Sequence, residues 1–130
     1  MNPRTTLRIE GLAVFAGALA VYLSLDGPFW LLAVLALAPD LSMAGYLAGP
    51  ALGSRIYNLF HTYTLPLALA GAGVWTGTTL AVLVAAVWTA HIGADRLVGY
   101  GLKYETDFKD THLSAPRRPD ASDEVTSTAD

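Results

Sequence analysis

The chain has 130 residues with a formal net charge of −3, 53% hydrophobic and 15% charged residues, and no cysteine. That length holds one domain, and a charged fraction well below the roughly 25% of soluble domains, with no basic character, excludes a wetted globule and a nucleic-acid binder. The lack of cysteine excludes disulfides and thiolate metal ligands.

The apolar residues fall into four stretches of about the length that spans a bilayer. The first runs from Leu7 to Leu25 and stops at Asp26-Gly27-Pro28, a helix-stop and turn signal. Glu10 interrupts it, and Leu25–Pro28 is no small-x-small cleavage site, so it reads as a span and not a cleaved leader. The second runs from Phe29 to Ala48 and stops at Gly49-Pro50. The third runs from Ile56 to Ala72 and enters the glycine-rich Gly71–Gly77 segment. The fourth runs from Thr78 to Val98, with an uncharged core from Leu80 to Ala90. Between Gly27 and Ala90 only Asp40 and Arg55 are charged, so lipid is the solvent this stretch fits.

Basic residues orient the spans. Arg4 and Arg8 precede the first, Arg55 lies between the second and third, and Arg96, Lys103, Lys109, Arg117 and Arg118 follow the fourth. Four spans put all eight on one side, so the expectation is a multi-pass protein of the cell membrane with both termini in the cytoplasm. Tyr22, Phe29, Trp30 and Trp75 would mark one interface, and Tyr46, Tyr57, Tyr100 and Tyr104 the other. The fold class that follows is all-α, an integral membrane four-helix bundle. The domain covers 1–113 and includes a juxtamembrane segment, 99–113. The acidic stretch Ser114 to Asp130 is too polar to bury a core and is expected to be disordered.

Five ionisable residues fall inside the spans, where they are costly and usually functional. Glu10, Asp40, His61, His91 and Asp95 all lie toward the cytoplasmic end. His91 and Asp95 are four apart and share a helix face. Asp40 follows Pro39, which interrupts the helical ladder. Two imidazoles with carboxylates suit one divalent metal, Zn²⁺, Mn²⁺ or Fe²⁺. Such a metal would neutralise the acids and activate water for hydrolysis. The same groups also suit a proton relay. Gly45-x-x-x-Gly49 has the spacing of close helix packing, and equally that of a loop.

The blocks Arg8-Ile-Glu-Gly11, Ala38-Pro-Asp-Leu-Ser-Met-Ala-Gly-Tyr-Leu-Ala-Gly-Pro50, Tyr57-Asn-Leu-Phe-His-Thr62, Ala90-His-Ile-Gly-Ala-Asp-Arg96, Gly99-Tyr-Gly-Leu-Lys-Tyr104 and Phe108-Lys-Asp-Thr-His-Leu113 resemble the prokaryotic membrane family termed domain of unknown function 4260. The resemblance covers about Leu7 to Leu113 and implies a small multi-span membrane protein of no assigned activity. More loosely, Pro39-Asp40, His61-Thr62 and His91-x-x-x-Asp95 are similar to motifs of membrane-bound metal-dependent hydrolases. That likeness implies metal ligation by Asp40, His61, His91 and Asp95. The second His and second Asp of those families have no counterpart here, which points to one metal or none.

The leading expectation is a metal-dependent hydrolase near the cytoplasmic face, acting on a lipid-linked substrate. Glu10 would be general base or a further ligand, and Lys103 or Lys109 would hold a substrate phosphate. The alternatives are a proton- or ion-conducting component, helped by homo-oligomerisation, and a membrane scaffold. A hydrolase predicts a closed outer half and a cavity at the cluster, a conduit predicts polar continuity, and a scaffold predicts no cavity.

Overall fold

The structure is a computed structural model and describes residues 2–102. Lys103 and Lys109, the juxtamembrane segment from residue 103 onward and the acidic tail lie outside the described residues. The described chain is helical throughout: α1 (Pro3–Ser24), α2 (Phe29–Leu37), a 3-10 segment (Ala38–Ala48), α3 (Pro50–Phe60), α4 (Thr64–Thr76) and α5 (Thr79–Val98). Three rods are long and apolar enough to cross a membrane: α1, α2 with its 3-10 continuation, and α5. Leu47, Trp75 and Phe29 are 94%, 92% and 79% exposed, a surface that only lipid solvates favourably.

α1 opens on Pro3 behind the Asn2 cap, whose side chain accepts from the Arg4 amide. Its 22 residues span roughly 33 Å, enough for the hydrocarbon core. α1 and α5 run antiparallel. Arg8 Nε donates to the Leu97 carbonyl at 2.8 Å at one end, and Tyr22 packs with Leu83 and Val87 at the other. They touch backbone to backbone where Gly11 meets Gly93. A Cβ on Gly93 would lie 2.7 Å from the Phe15 nitrogen and 2.8 Å from the Gly11 carbonyl oxygen.

α2 completes that end of the core, with Leu32, Leu35 and Ala36 against Tyr22, Leu83, Ala86 and Val87. The Tyr22 hydroxyl donates to the Pro28 carbonyl at 2.6 Å and ties down the α1–α2 turn. The 3-10 segment and α3 form a hairpin about Gly49-Pro50. In it Gly45 faces Ile56 and Gly53 faces Tyr46, so this glycine pair serves packing. α4 lies on α5.

The third rod departs from the expectation. In place of one helix from Ile56 to Ala72 there are two, with a break at His61–Tyr63. Pro66 supplies the reason. It has no amide to donate to the Thr62 carbonyl, but it is tolerated in the first turn of a fresh helix. Neither α3, with 11 residues, nor α4, with 13, crosses a bilayer alone.

Candidate metal centre

Each histidine of the site is oriented by a backbone carbonyl that an irregular helix has set free. His61 ends α3, and its Nδ1 lies 2.8 Å from the Tyr57 carbonyl oxygen. The His91 Nδ1 hydrogen-bonds the Ala36 carbonyl oxygen across the α2–α5 interface. In the 3-10 register Ala36 would receive the amide of residue 39, which is a proline. A carbonyl only accepts, so both Nδ1 atoms carry the proton and donate. Both Nε2 atoms are therefore bare lone pairs in the neutral rings.

Those lone pairs point at carboxylates. His91 Nε2 lies 3.2 Å from Asp40 Oδ1 and 3.3 Å from Asp95 Oδ2. His61 Nε2 lies 3.5 Å from Asp40 Oδ1 and 3.6 Å from Asp95 Oδ2. One donor atom from each of the four residues falls within 4.8 Å of all the others. His61 is 1% exposed, and both Nε2 atoms are buried without a hydrogen bond. Tyr57 stacks on His61 with centroids 3.7 Å apart and planes 8° from parallel, which fixes the ring further.

Four acceptors facing one another repel unless a cation sits among them. Protonating the imidazoles would supply donors, but charge-assisted N–H···O bonds run about 2.7–2.9 Å and favour one partner. Here each Nε2 is nearly equidistant from two carboxylates, and longer. Metal–ligand bonds of 2.0–2.1 Å in a tetrahedron give edges of about 3.4 Å. The four N···O separations, 3.2 to 3.6 Å, bracket that value.

A second set of contacts holds the break in the third rod. The C-terminal carbonyls of a helix lack intrahelical partners, and side chains of α5 take them. Trp88 Nε1 donates to the Phe60 carbonyl at 2.7 Å, and Arg96 Nη2 donates to the His61 carbonyl at 3.0 Å. Arg96 Nη1 also donates to the Tyr100 carbonyl at 3.2 Å. The sequence reading did not find these positioning roles. Trp88 lies three residues before His91 on the same face, and Arg96 was read only as a topology marker.

Among the sequence-derived site residues, Asp40, His61, His91 and Asp95 come together. Glu10 does not supply one of the four donor atoms. It lines a separate cavity with Tyr63 and Arg96. A small apolar cavity of about 160 Å³ adjoins the cluster, lined by Leu35, Ala38, Pro39, Phe60, Val84 and Trp88. Three of these neighbour residues of the cluster: Pro39 precedes Asp40, Phe60 precedes His61, and Trp88 is one turn from His91.

Fold and site together define a small all-helical membrane protein with a His/Asp cluster that is part-buried around a fully buried His61. The chain belongs to the family described as Domain of unknown function (DUF4260), whose model matches residues 4–115. No curated protein and no solved structure matches it.

Proposed function

We propose that the protein is a metal-dependent hydrolase of the cell membrane, with one divalent cation held by Asp40, His61, His91 and Asp95 near the cytoplasmic face. The observation that carries this reading is the closed ring of four acceptors whose imidazole Nδ1 protons are already committed to backbone carbonyls. Magnitudes favour a metal over a bare cluster. An Asp at the centre of a membrane helix costs about 2.5–3.5 kcal/mol. Structural zinc in zinc-finger peptides returns about 10–16 kcal/mol, so even half of that from a His/Asp set would offset much of the cost of two such carboxylates.

Four protein ligands fill a tetrahedron, so activation of water by the cation would need a fifth position, and the most open side for it is at Asp40. Asp40 is the most open ligand, with its side chain 42% exposed, and marks the side from which substrate enters. The adjoining cavity is apolar, which suits the chain of a membrane-resident ester or phosphoester. Trp88 and Arg96 hold the α3 terminus and with it the position of His61. The basic flanks favour cytoplasmic termini, and Lys103 and Lys109 remain candidates for a substrate phosphate.

The conduit reading has less support. Beyond the cluster the helices close on Tyr22, Leu83, Ala86 and Val87, which offer no continuous polar lining. A scaffold leaves the two orphaned Nε2 atoms without a purpose.

The test is hydrolysis of long-chain carboxylic esters and phosphoesters in mixed micelles. The protein is stripped of metal and then refilled with Zn²⁺, Mn²⁺ or Fe²⁺. Turnover that needs one of the refilled metals and is lost in His91→Ala supports the proposal. Bound metal without turnover on either ester class would leave a structural centre and refute the hydrolase.

A further inference from the structure

α1 and α4 both lie against α5 and leave a groove between them. At the end shared by the termini the groove opens into a cavity of about 320 Å³, lined by Leu7, Glu10, Val14, Tyr63 and Arg96 among others. Next along the bundle is a second cavity of about 310 Å³, lined by Val14, Gly17, Val21, Leu67, Ala70 and Ala85 among others. Val14 lines both, so the two adjoin along α1. From Leu7 to Val21 the groove follows α1 for roughly 21 Å at 1.5 Å per residue. That exceeds one leaflet's share of a hydrocarbon core about 30 Å thick.

The groove is polar at one end only. Arg96 is 8% exposed, and its two bonds to the carbonyls of His61 and Tyr100 use two of its five N–H donors. No ion pair joins it to a carboxylate among the described residues. A desolvated guanidinium at the membrane edge calls for an anion, and its planar donor fork fits a phosphate. Glu10 lines the same cavity from an exposed position, at the level of Arg96, whose Cβ packs against Gly11. A buried cation and an exposed anion thus lie side by side at one end of an apolar groove. That arrangement complements the phosphate and ammonium of a phospholipid headgroup with its acyl chain in the groove.

We infer that the α1–α4 groove is a binding site for one phospholipid with an amine headgroup. Its phosphate meets Arg96 and Tyr63, its ammonium meets Glu10, and one acyl chain lies along Val14, Gly17, Val21 and Ala70. The site borders the four-residue cluster through the Arg96 bond to the His61 carbonyl but uses none of its four side chains, and the inference holds whether or not a metal binds there.

Native mass spectrometry tests it on the full chain in mild detergent, with equal amounts of dioleoyl phosphatidylethanolamine, phosphatidylglycerol and phosphatidylcholine. Wild type should retain one phosphatidylethanolamine in preference to the other two. A Cβ at Gly17 meets nothing within 4 Å, so Gly17→Leu fills the groove without disturbing the fold. It should cut retention of all three lipids by at least about tenfold, with helicity and metal content unchanged. Glu10→Gln should erase the preference for ethanolamine over glycerol while lipid is still retained. Equal retention of the three lipids by wild type would overturn the headgroup assignment, and undiminished retention in Gly17→Leu would overturn the groove. A two-copy species dispersed by Gly17→Leu would show that a neighbouring chain fills the groove, and would overturn the inference as well.

Discussion

The site is built by a few residues that break regular helix, each break leaving a carbonyl that a side chain claims. Pro39 removes the amide that would pair with Ala36, and His91 takes the place of that amide. Pro39→Ala restores a competing donor to the Ala36 carbonyl. The expected outcome is a folded protein with metal loading below wild type, read by elemental analysis; equal loading would separate His91 from Pro39. Trp88→Phe leaves the Phe60 carbonyl without its donor. That carbonyl lies on the exposed side of the bundle, where lipid offers it no donor, and a polar group left unpaired away from water costs about 1–3 kcal/mol. The variant should unfold at lower denaturant in detergent, with metal affinity weakened because the α3 terminus loosens. Unchanged stability would mean that water satisfies the carbonyl.

Among the elements, α1 and α5 form the tightest pair, and their contact depends on two glycines with no room for a methyl group. Gly93→Ala drives a Cβ into backbone at 2.7 Å, which neither helix can relieve without separating. Overpacking of this kind costs about 1–3 kcal/mol. Gly17→Ala, on the same pair but facing open space, should be neutral or gain up to about 1 kcal/mol from helix propensity. Thermal unfolding in detergent should therefore rank Gly17→Ala at or above wild type and Gly93→Ala below it. The sequence made α1, the α2 rod and α5 legible because hydropathy and turn signals agree there. The third rod was misread because hydropathy alone carries it past His61, while Pro66, the residue that splits it, looked harmless within an apolar run. The same split makes His61 a helix terminus rather than a mid-span residue. The juxtaposition of Asp40, His61, His91 and Asp95 was legible from their shared depth and the four-residue spacing of His91 and Asp95. Glu10 had the right depth but faces Arg96 and Tyr63, because depth does not fix the helix face.

As a whole, the molecule brings the start of α1 and the end of α5 together, through Arg8 and the Leu97 carbonyl. The native chain has no cysteine, so single cysteines report topology without background. Asn2→Cys and Tyr100→Cys should react with an impermeant maleimide only from the cytoplasmic side, and Leu25→Cys only from the opposite side. Labelling of Asn2→Cys and Tyr100→Cys from opposite sides would contradict the bundle itself, while labelling of both from outside would reverse its orientation. Within an apolar exterior, the described residues carry a ring of four facing acceptors, and the purpose of that ring turns on whether a cation occupies it.

The most direct test of that claim is metal content. The protein is purified without added metal, then refilled with Zn²⁺, Mn²⁺ or Fe²⁺ and dialysed, beside the double variant His61→Ala, His91→Ala. One equivalent of metal in wild type, absent from the double variant while its helicity is retained, is the predicted result. No metal in wild type after refilling, or equal metal in both proteins, would contradict a centre formed by Asp40, His61, His91 and Asp95.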